Sequence, residues 1–396
     1  MNTLVLDARD EGRKRATHAS HVPAPAARPV RIALLGVGTV GRAFLQRLEA
    51  LAGSPLTSRL QLVHVANSAT RFSTSPAGRG RRAAAGEGRG WPIADLLDSS
   101  LTAIPIPKGK GLEVATAELE AGHGTRIVID ATASAAVADR HAQWLAQGIH
   151  VVTACKLGQG TALARWRAIR AGCERGGTQY GDSATVGAGL PLLRSIRELR
   201  AGGDRVHAIA GVLSGSLAWL FDHYDGMRPF SALVRQARAA GFTEPDPRED
   251  LSGEDVRRKL LILARAAGYP LEADAVEVGS LVPPPLAELP TCEVDAALPC
   301  LDGVLRERYA AAYKRGEKLR FIARLERDGD GRVRARVGLE SLPIAHPLAA
   351  GAGTDNRVAI GSDRYCQQPL LIQGPGAGAQ VTAAALLDDV LRIARE

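Results

Sequence analysis

No stretch of this 396-residue chain is apolar for long enough to cross a membrane, which excludes a transmembrane helix. The opening residues, "MNTLVLDARDEGRKRATHASHVPAPAARP", lack the apolar core and cleavage site of a secretory signal. Their charges, prolines and alanines read as a disordered lead-in over residues 1–28. Cysteine is scarce: Cys155, Cys173, Cys292, Cys300 and Cys366 are scattered, with no CxxC pair. That argues against a disulfide frame or a zinc site and fits a reducing, cytoplasmic compartment. The net charge of +8 has no basic, aromatic-laced patch behind it. The densest run, "GRGRR" near residue 80, sits in a Gly/Ala-rich loop, and elsewhere arginines alternate with acids. Neither a nucleic acid nor a membrane is expected as a partner; a basic chain of this kind suits a small anion.

What is present is a chain long enough for two domains. "PVRIALLGVGTVGRAFLQRL" reads as a buried strand, a tight turn and a helix. "LQLVHVANS" and "RIVIDATAS" are further strands, "AVADRHAQWLAQG" is an amphipathic helix, and "IHVVTACK" is the next strand. This alternation predicts an α/β fold with a mostly parallel, helix-covered sheet. After about residue 157 the pattern turns to helices and then to a hairpin, "LRFIARLERDGDGRVRARVGLESLP", two more strands and a last amphipathic helix.

Gly36-Val37-Gly38-Thr39-Val40-Gly41 is GxGxxG between a strand and a helix, the context of a dinucleotide-binding turn in a Rossmann-type sheet. Diphosphate would rest on the amino end of the helix. An NAD-selective site usually closes its second strand with an acid. Here the strand ends with Asn67 and Ser68, and Arg71 follows, a set that favours NADP(H) or dual use with NAD(H).

The segment "FTEPDPREDLSGEDVRRK" drives many charges into the start of the apolar helix "LLILARAAGY". Ser252 is expected to cap that helix with an acid three residues on, and Pro245 and Pro247 to hold the lead-in extended. Capping leaves Glu244, Asp250 and Lys259 unexplained. Asp255 and Lys259, four apart, share one face at the border of the apolar stripe Val256, Leu260 and Leu263. A lysine beside a carboxylate can deliver a proton with its charge balanced.

These residues carry a resemblance. "GFTEPDPREDLSGEDVRRKLLILAR" looks like the signature segment of homoserine dehydrogenases, and "VVTACK", "ATVGAGLP", "GVLSGSLAW" and "QGPGAGAQVTA" follow the family's order and spacing over residues 30–396. The likeness is nearest to the dehydrogenase half of fused aspartokinase–homoserine dehydrogenases. It implies NAD(P)H-dependent interconversion of L-aspartate 4-semialdehyde and L-homoserine, in the pathway to threonine, methionine and isoleucine, and a cytoplasmic homodimer. It further implies Lys259 as general acid with Asp255 and Lys156 beside it. Glu244 would bind the substrate ammonium, with Gly241, Asp250 and Ser216 nearby. Thr132, Ser134 and Lys156 would stand by the nicotinamide, and Gly376 and Gly378 in a late glycine loop that returns the chain to the cofactor. The implied layout is a nucleotide-binding unit at 29–157, a substrate and dimerisation unit at 158–365, and a C-terminal segment at 366–396 that rejoins the first.

Two departures stand out. Cys155 precedes Lys156 where the family has Asn. The family's sodium-like site would use the carbonyls of Val186, Ala188 and Leu190, but its acid position holds Ser183, with Asp182 next to it. Two rival readings remain open at this level: an NADP-linked reductase of another amino-acid aldehyde, and a non-catalytic nucleotide-binding regulator.

Overall fold

The computed structural model describes residues 28–67, 70–73, 104–105, 110–351 and 353–395, with 70–73 and 104–105 given by backbone only. The lead-in to residue 27, Ser68 and the basic run near residue 80 lie outside the described residues, and Arg71 is placed only by its strand. Within this range no helix is long and apolar enough to cross a membrane.

The first sheet follows from short apolar runs buried on both faces. It takes in β1 (Val30–Leu35), β2 (Leu60–Ala66), β3 (Thr70–Ser73), β4 (Ile104–Pro105), β5 (Thr125–Asp130), β6 (His150–Thr153) and β7 (Tyr180–Gly181), in the order β4-β3-β2-β1-β5-β6-β7. From β2 to β7 neighbours are parallel, and β3 and β4 add an antiparallel edge. Between these strands run α1 (Thr39–Ala50), α2 (Gly111–Glu120), α3 (Ala135–Ala146) and α4 (Leu163–Gly176). Since β2 and β5 flank β1 on opposite sides, the strand order reverses at β1 and opens a crevice beyond its carboxyl end.

The second unit is built on helices α5 (Leu192–Ala201), α6 (Gly215–His223), α7 (Phe230–Ala239), α8 (Arg248–Leu251), α9 (Glu254–Ala266), α10 (Pro284–Ala287), α11 (Thr291–Ala297) and α12 (Asp302–Lys314). They cover one face of a mixed sheet in the order β13-β12-β8-β10-β11-β9. Its strands are β8 (Val206–Val212), β9 (Val276–Val278), the hairpin β10 (Glu317–Arg327) and β11 (Val333–Pro343), β12 (Asp355–Ser362) and β13 (Leu370–Pro375). The last helix, α13 (Ala379–Ala394), leaves this sheet and packs with α1 on one face of the first, sharing its apolar core. Helices α2 and α3, with Ile169 of α4, fill the other face.

Four sequence expectations shift. The first sheet runs past residue 157: α4 lies close on α3, where a side chain at Gly172 would meet Ala142 O at 2.6 Å, and β7 pairs with β6. A two-residue strand gives no apolar run to read. The boundary at 365/366 falls between β12 and β13, which pair with each other. Ser252 does not cap α9: Gly253 does, at φ 78°, and the Ser252 hydroxyl instead donates to Glu249 O and accepts Glu254 N–H. Pro247 is helical rather than extended and starts the single turn of α8.

Candidate active site

The glycine turn follows β1. Gly36 has φ 95°, and a Cβ there would meet Ala131 O at 2.7 Å and Thr132 Cγ2 at 3.0 Å, so the loops after β1 and β5 touch. A side chain at Gly41 would run into Gly36 O. Gly38 by contrast faces open space, caps α1 without a side chain, and has no acid in the following turn. Thr39 and Val40 begin α1. This is the shape and polarity a diphosphate needs: room for close approach and a helix amino end with no competing anion. Asn67 follows β2 and is exposed. Thr132 donates both its N–H and its hydroxyl to Asp130 Oδ1, at 2.9 and 2.6 Å. The Ser134 hydroxyl caps α3, accepting Val137 N–H at 3.4 Å. Gly378, at φ 127°, begins α13, and Gln380 reaches Gln46 of α1, which brings the late glycine loop to the nucleotide side.

The charges of the opening segment converge. Lys259 Nζ donates to Leu213 O at 2.7 Å and lies 2.8 Å from Asp255 Oδ2; Lys156 Nζ, three residues past β6, lies 3.2 Å from Asp255 Oδ1. Val256, Leu260 and Leu263 are buried, as the apolar stripe requires, and Lys259 is drawn in with them. Enclosure by protein pushes the Asp255 carboxyl up, but Lys259 and Lys156 outweigh it and hold Asp255 well below the usual carboxylate range. Its side chain keeps 41% exposure, so the cluster opens on a cleft.

Close by, Asp250 Oδ1 accepts from Ser216 Oγ at 2.6 Å and Oδ2 accepts Glu244 N–H at 2.8 Å. Burial pushes the Asp250 carboxyl up, against these donors. Ser214 and Ser216 bond to each other at the start of α6, one residue beyond the carbonyl that holds Lys259. Gly241, at φ 73°, ends the turn after α7, and Glu244 stands exposed.

The Val186–Leu190 turn contains Ala188 at φ 50°. Leu190 O already accepts Leu192 N–H, and Asp182 is held by both terminal nitrogens of Arg197 at 2.6 Å. Ser183 is bonded through its N–H and hydroxyl to Asp389. Neither nearby acid is uncommitted, so the turn offers a cation little beyond carbonyl oxygens. Burial raises the Cys155 thiol to about 11, and its N–H caps Thr153 Oγ1, so it serves as an inert part of the strand end. A cavity of about 930 Å³ lies apart, lined by Arg170, Tyr180, Arg197 and Arg392; none of Lys156, Asp255 and Lys259 lines it.

Sequence reading missed Asp130, His141 and Tyr180, which form a hydrogen-bonded chain under the ends of β5 and β6. An acid closing the apolar run "RIVID" was the available signal.

Family models match two spans: one described as the NAD binding domain of homoserine dehydrogenase over residues 36–180, and one as homoserine dehydrogenase over 191–391. The bifunctional aspartokinase/homoserine dehydrogenase 2 of Escherichia coli is 43% identical over 272 residues, 68% of this chain and 33% of its own. The chain thus spans about a third of such bifunctional relatives. A homoserine dehydrogenase of Emericella nidulans is 34% identical over 92% of this chain and 98% of its own. A solved structure of a Candida auris protein of unknown function superposes with TM-score 0.83 at 31% identity, covering 93% of this chain and 99% of that one. Two domain models in order and a relative matched almost end to end leave one conclusion: the chain belongs to the homoserine dehydrogenase family.

Proposed function

We propose that this chain catalyses the NADP(H)-linked interconversion of L-aspartate 4-semialdehyde and L-homoserine, a step of aspartate-family amino-acid biosynthesis. The observation that carries the reading is Asp255 clamped between Lys156 and Lys259 beside the carboxyl end of the first sheet. The nicotinamide, when bound, supplies the hydride. Lys259, fixed by Asp255 and Leu213 O, gives a proton to the oxygen that becomes the hydroxyl and takes it back in the opposite direction. Lys156 lies beside the nicotinamide and substrate and shares the Asp255 charge. The exposed Glu244 carboxylate meets the substrate ammonium. Asp250 ties the backbone of Glu244 to Ser216 and so sets the distance between the ammonium-binding and proton-giving ends. Gly36, Gly38, Thr39, Val40, Gly41 and Gly378 surround the diphosphate, with Thr132 and Ser134 toward the nicotinamide.

The run from Asn67 to Arg71 contains no acid, which supports NADP(H) over NAD(H). A monovalent cation at the 186–190 turn would rest on the carbonyls of Val186 and Ala188, and no step depends on it. We assign nucleotide binding to the first sheet with α13, and substrate binding and homodimer formation to the second, in a cytoplasmic protein. Purified protein is assayed by oxidation of L-homoserine coupled to NADP, followed by absorbance, with NAD in parallel. Turnover is expected, faster with NADP. Turnover confined to other amino alcohols, or intact NADP binding with no turnover at all, would sink the proposal.

A further inference from the structure

Asp130, His141 and Thr153 are completely buried at the ends of β5 and β6. Asp130 Oδ1 takes the N–H and hydroxyl of Thr132, while Oδ2 faces His141 Nε2 at 3.1 Å and Thr153 Oγ1 at 3.3 Å. Thr153 Oγ1 in turn accepts Cys155 N–H at 2.8 Å. The far ring nitrogen, His141 Nδ1, meets Tyr180 OH at 3.0 Å. An ionised carboxylate only accepts, so Nε2 is the donor to Asp130, and Nδ1 shares the second bond with the Tyr180 hydroxyl. Gly158 roofs this chain: a Cβ there would meet His141 Nδ1 at 3.2 Å and strike Tyr180 OH. Gly158 lies two residues past Lys156, whose carbonyl accepts Gly160 N–H at 2.7 Å.

A buried carboxylate–imidazole pair is no more stable than apolar residues of like volume. Its place at the carboxyl ends of two parallel strands is where such sheets do their chemistry. The geometry points to a positioning device: Asp130, oriented by His141 and Tyr180, fixes the loop that carries Thr132 and the loop that carries Lys156 in one rigid relation. Asp130 touches no reacting atom; it acts through those two loops. The inference rests on the proposed function for what the loops do, and on hydrogen bonds alone for how they are held.

The test uses the full chain with Asp130→Asn, His141→Gln and His141→Leu. Amide hydrogen exchange, melting temperature, NADPH affinity by fluorescence and kcat are measured on each. In Asp130→Asn the amide donors face His141, and kcat is expected to fall roughly 10- to 100-fold, as when orienting partners are lost at other sites. NADPH affinity and cooperative melting should hold, while exchange speeds up at 131–134 and 154–160 together. His141→Gln, which still donates to Asp130, should retain most activity, and His141→Leu should not. Unchanged exchange at both loops, a kcat near wild type in Asp130→Asn, or faster exchange spread over the whole first sheet in step with lost stability would each overturn the inference. If wild-type protein does not oxidise L-homoserine, the functional proposal fails, and the exchange comparison still decides the positioning.

Discussion

Asp250 and Asp255 stand five residues apart at the mouth of one helix, and their environments push them in opposite directions. Around Asp255 the partners are two ammonium groups, and these outweigh enclosure, so the carboxylate stays ionised in a cleft open to water. Around Asp250 the partners are a hydroxyl and a backbone N–H, and burial wins. The comparison teaches that full charges, rather than hydrogen-bond count, decide which carboxyl resists protonation here. It also separates two tasks. Under the proposed function, the Asp255 side moves the proton, while Asp250 ties the Glu244 backbone to Ser216.

The largest effect should follow Lys259→Met. It removes the proposed proton donor, and kcat is expected to drop about 10²–10⁴-fold. NADPH affinity, read by fluorescence titration, should be unchanged, since the glycine turn is untouched. An equal loss in kcat and cofactor affinity would contradict the proton role. Asp250→Ala tests the other half of the contrast. It leaves the Glu244 N–H and the Ser216 hydroxyl without their acceptor, at about 1–3 kcal/mol. KM for L-homoserine should rise on the order of tenfold, with kcat falling less. A kcat loss as deep as that of Lys259→Met, with KM unmoved, would erase the division of labour.

Much of this contrast was legible in the sequence because it is local. The i, i+4 spacing of Asp255 and Lys259 and the stripe Val256, Leu260, Leu263 fix a helix face before any fold is known. The glycine turn is equally local, and Gly36 and Gly38 have the conformation and the open space their pattern requires. What could not be read comes from chain segments far apart. Leu213 O, 46 residues from Lys259, completes the lysine's site, and only the strand–turn–helix geometry brings it there. Asp130 and Tyr180 meet through His141 because β5 and β7 flank β6. Ser252 misled as a cap because Gly253 can adopt φ 78° and take the position, with Phe321 of the second sheet lying against it.

The smallest and most discriminating effect is on stability against pH. Asp255 has a folded-state affinity for protons below its ordinary value of 3.8, so its contribution to stability is present above 3.8 and is lost as pH falls below it toward the depressed value. Asp250 is raised above 3.8, so its contribution is present below 3.8 and is lost as pH rises through the raised value. Melting temperatures of wild type, Asp255→Asn and Asp250→Asn are scanned from neutral pH downward. The gap between wild type and Asp255→Asn should stay level and then narrow only below 3.8. As pH is lowered, the gap for Asp250→Asn should instead shift in favour of wild type already above 3.8, as the buried carboxylate takes up its proton. Parallel curves for the two variants would mean that both carboxyls see the same environment, and that the lysines do not set them apart.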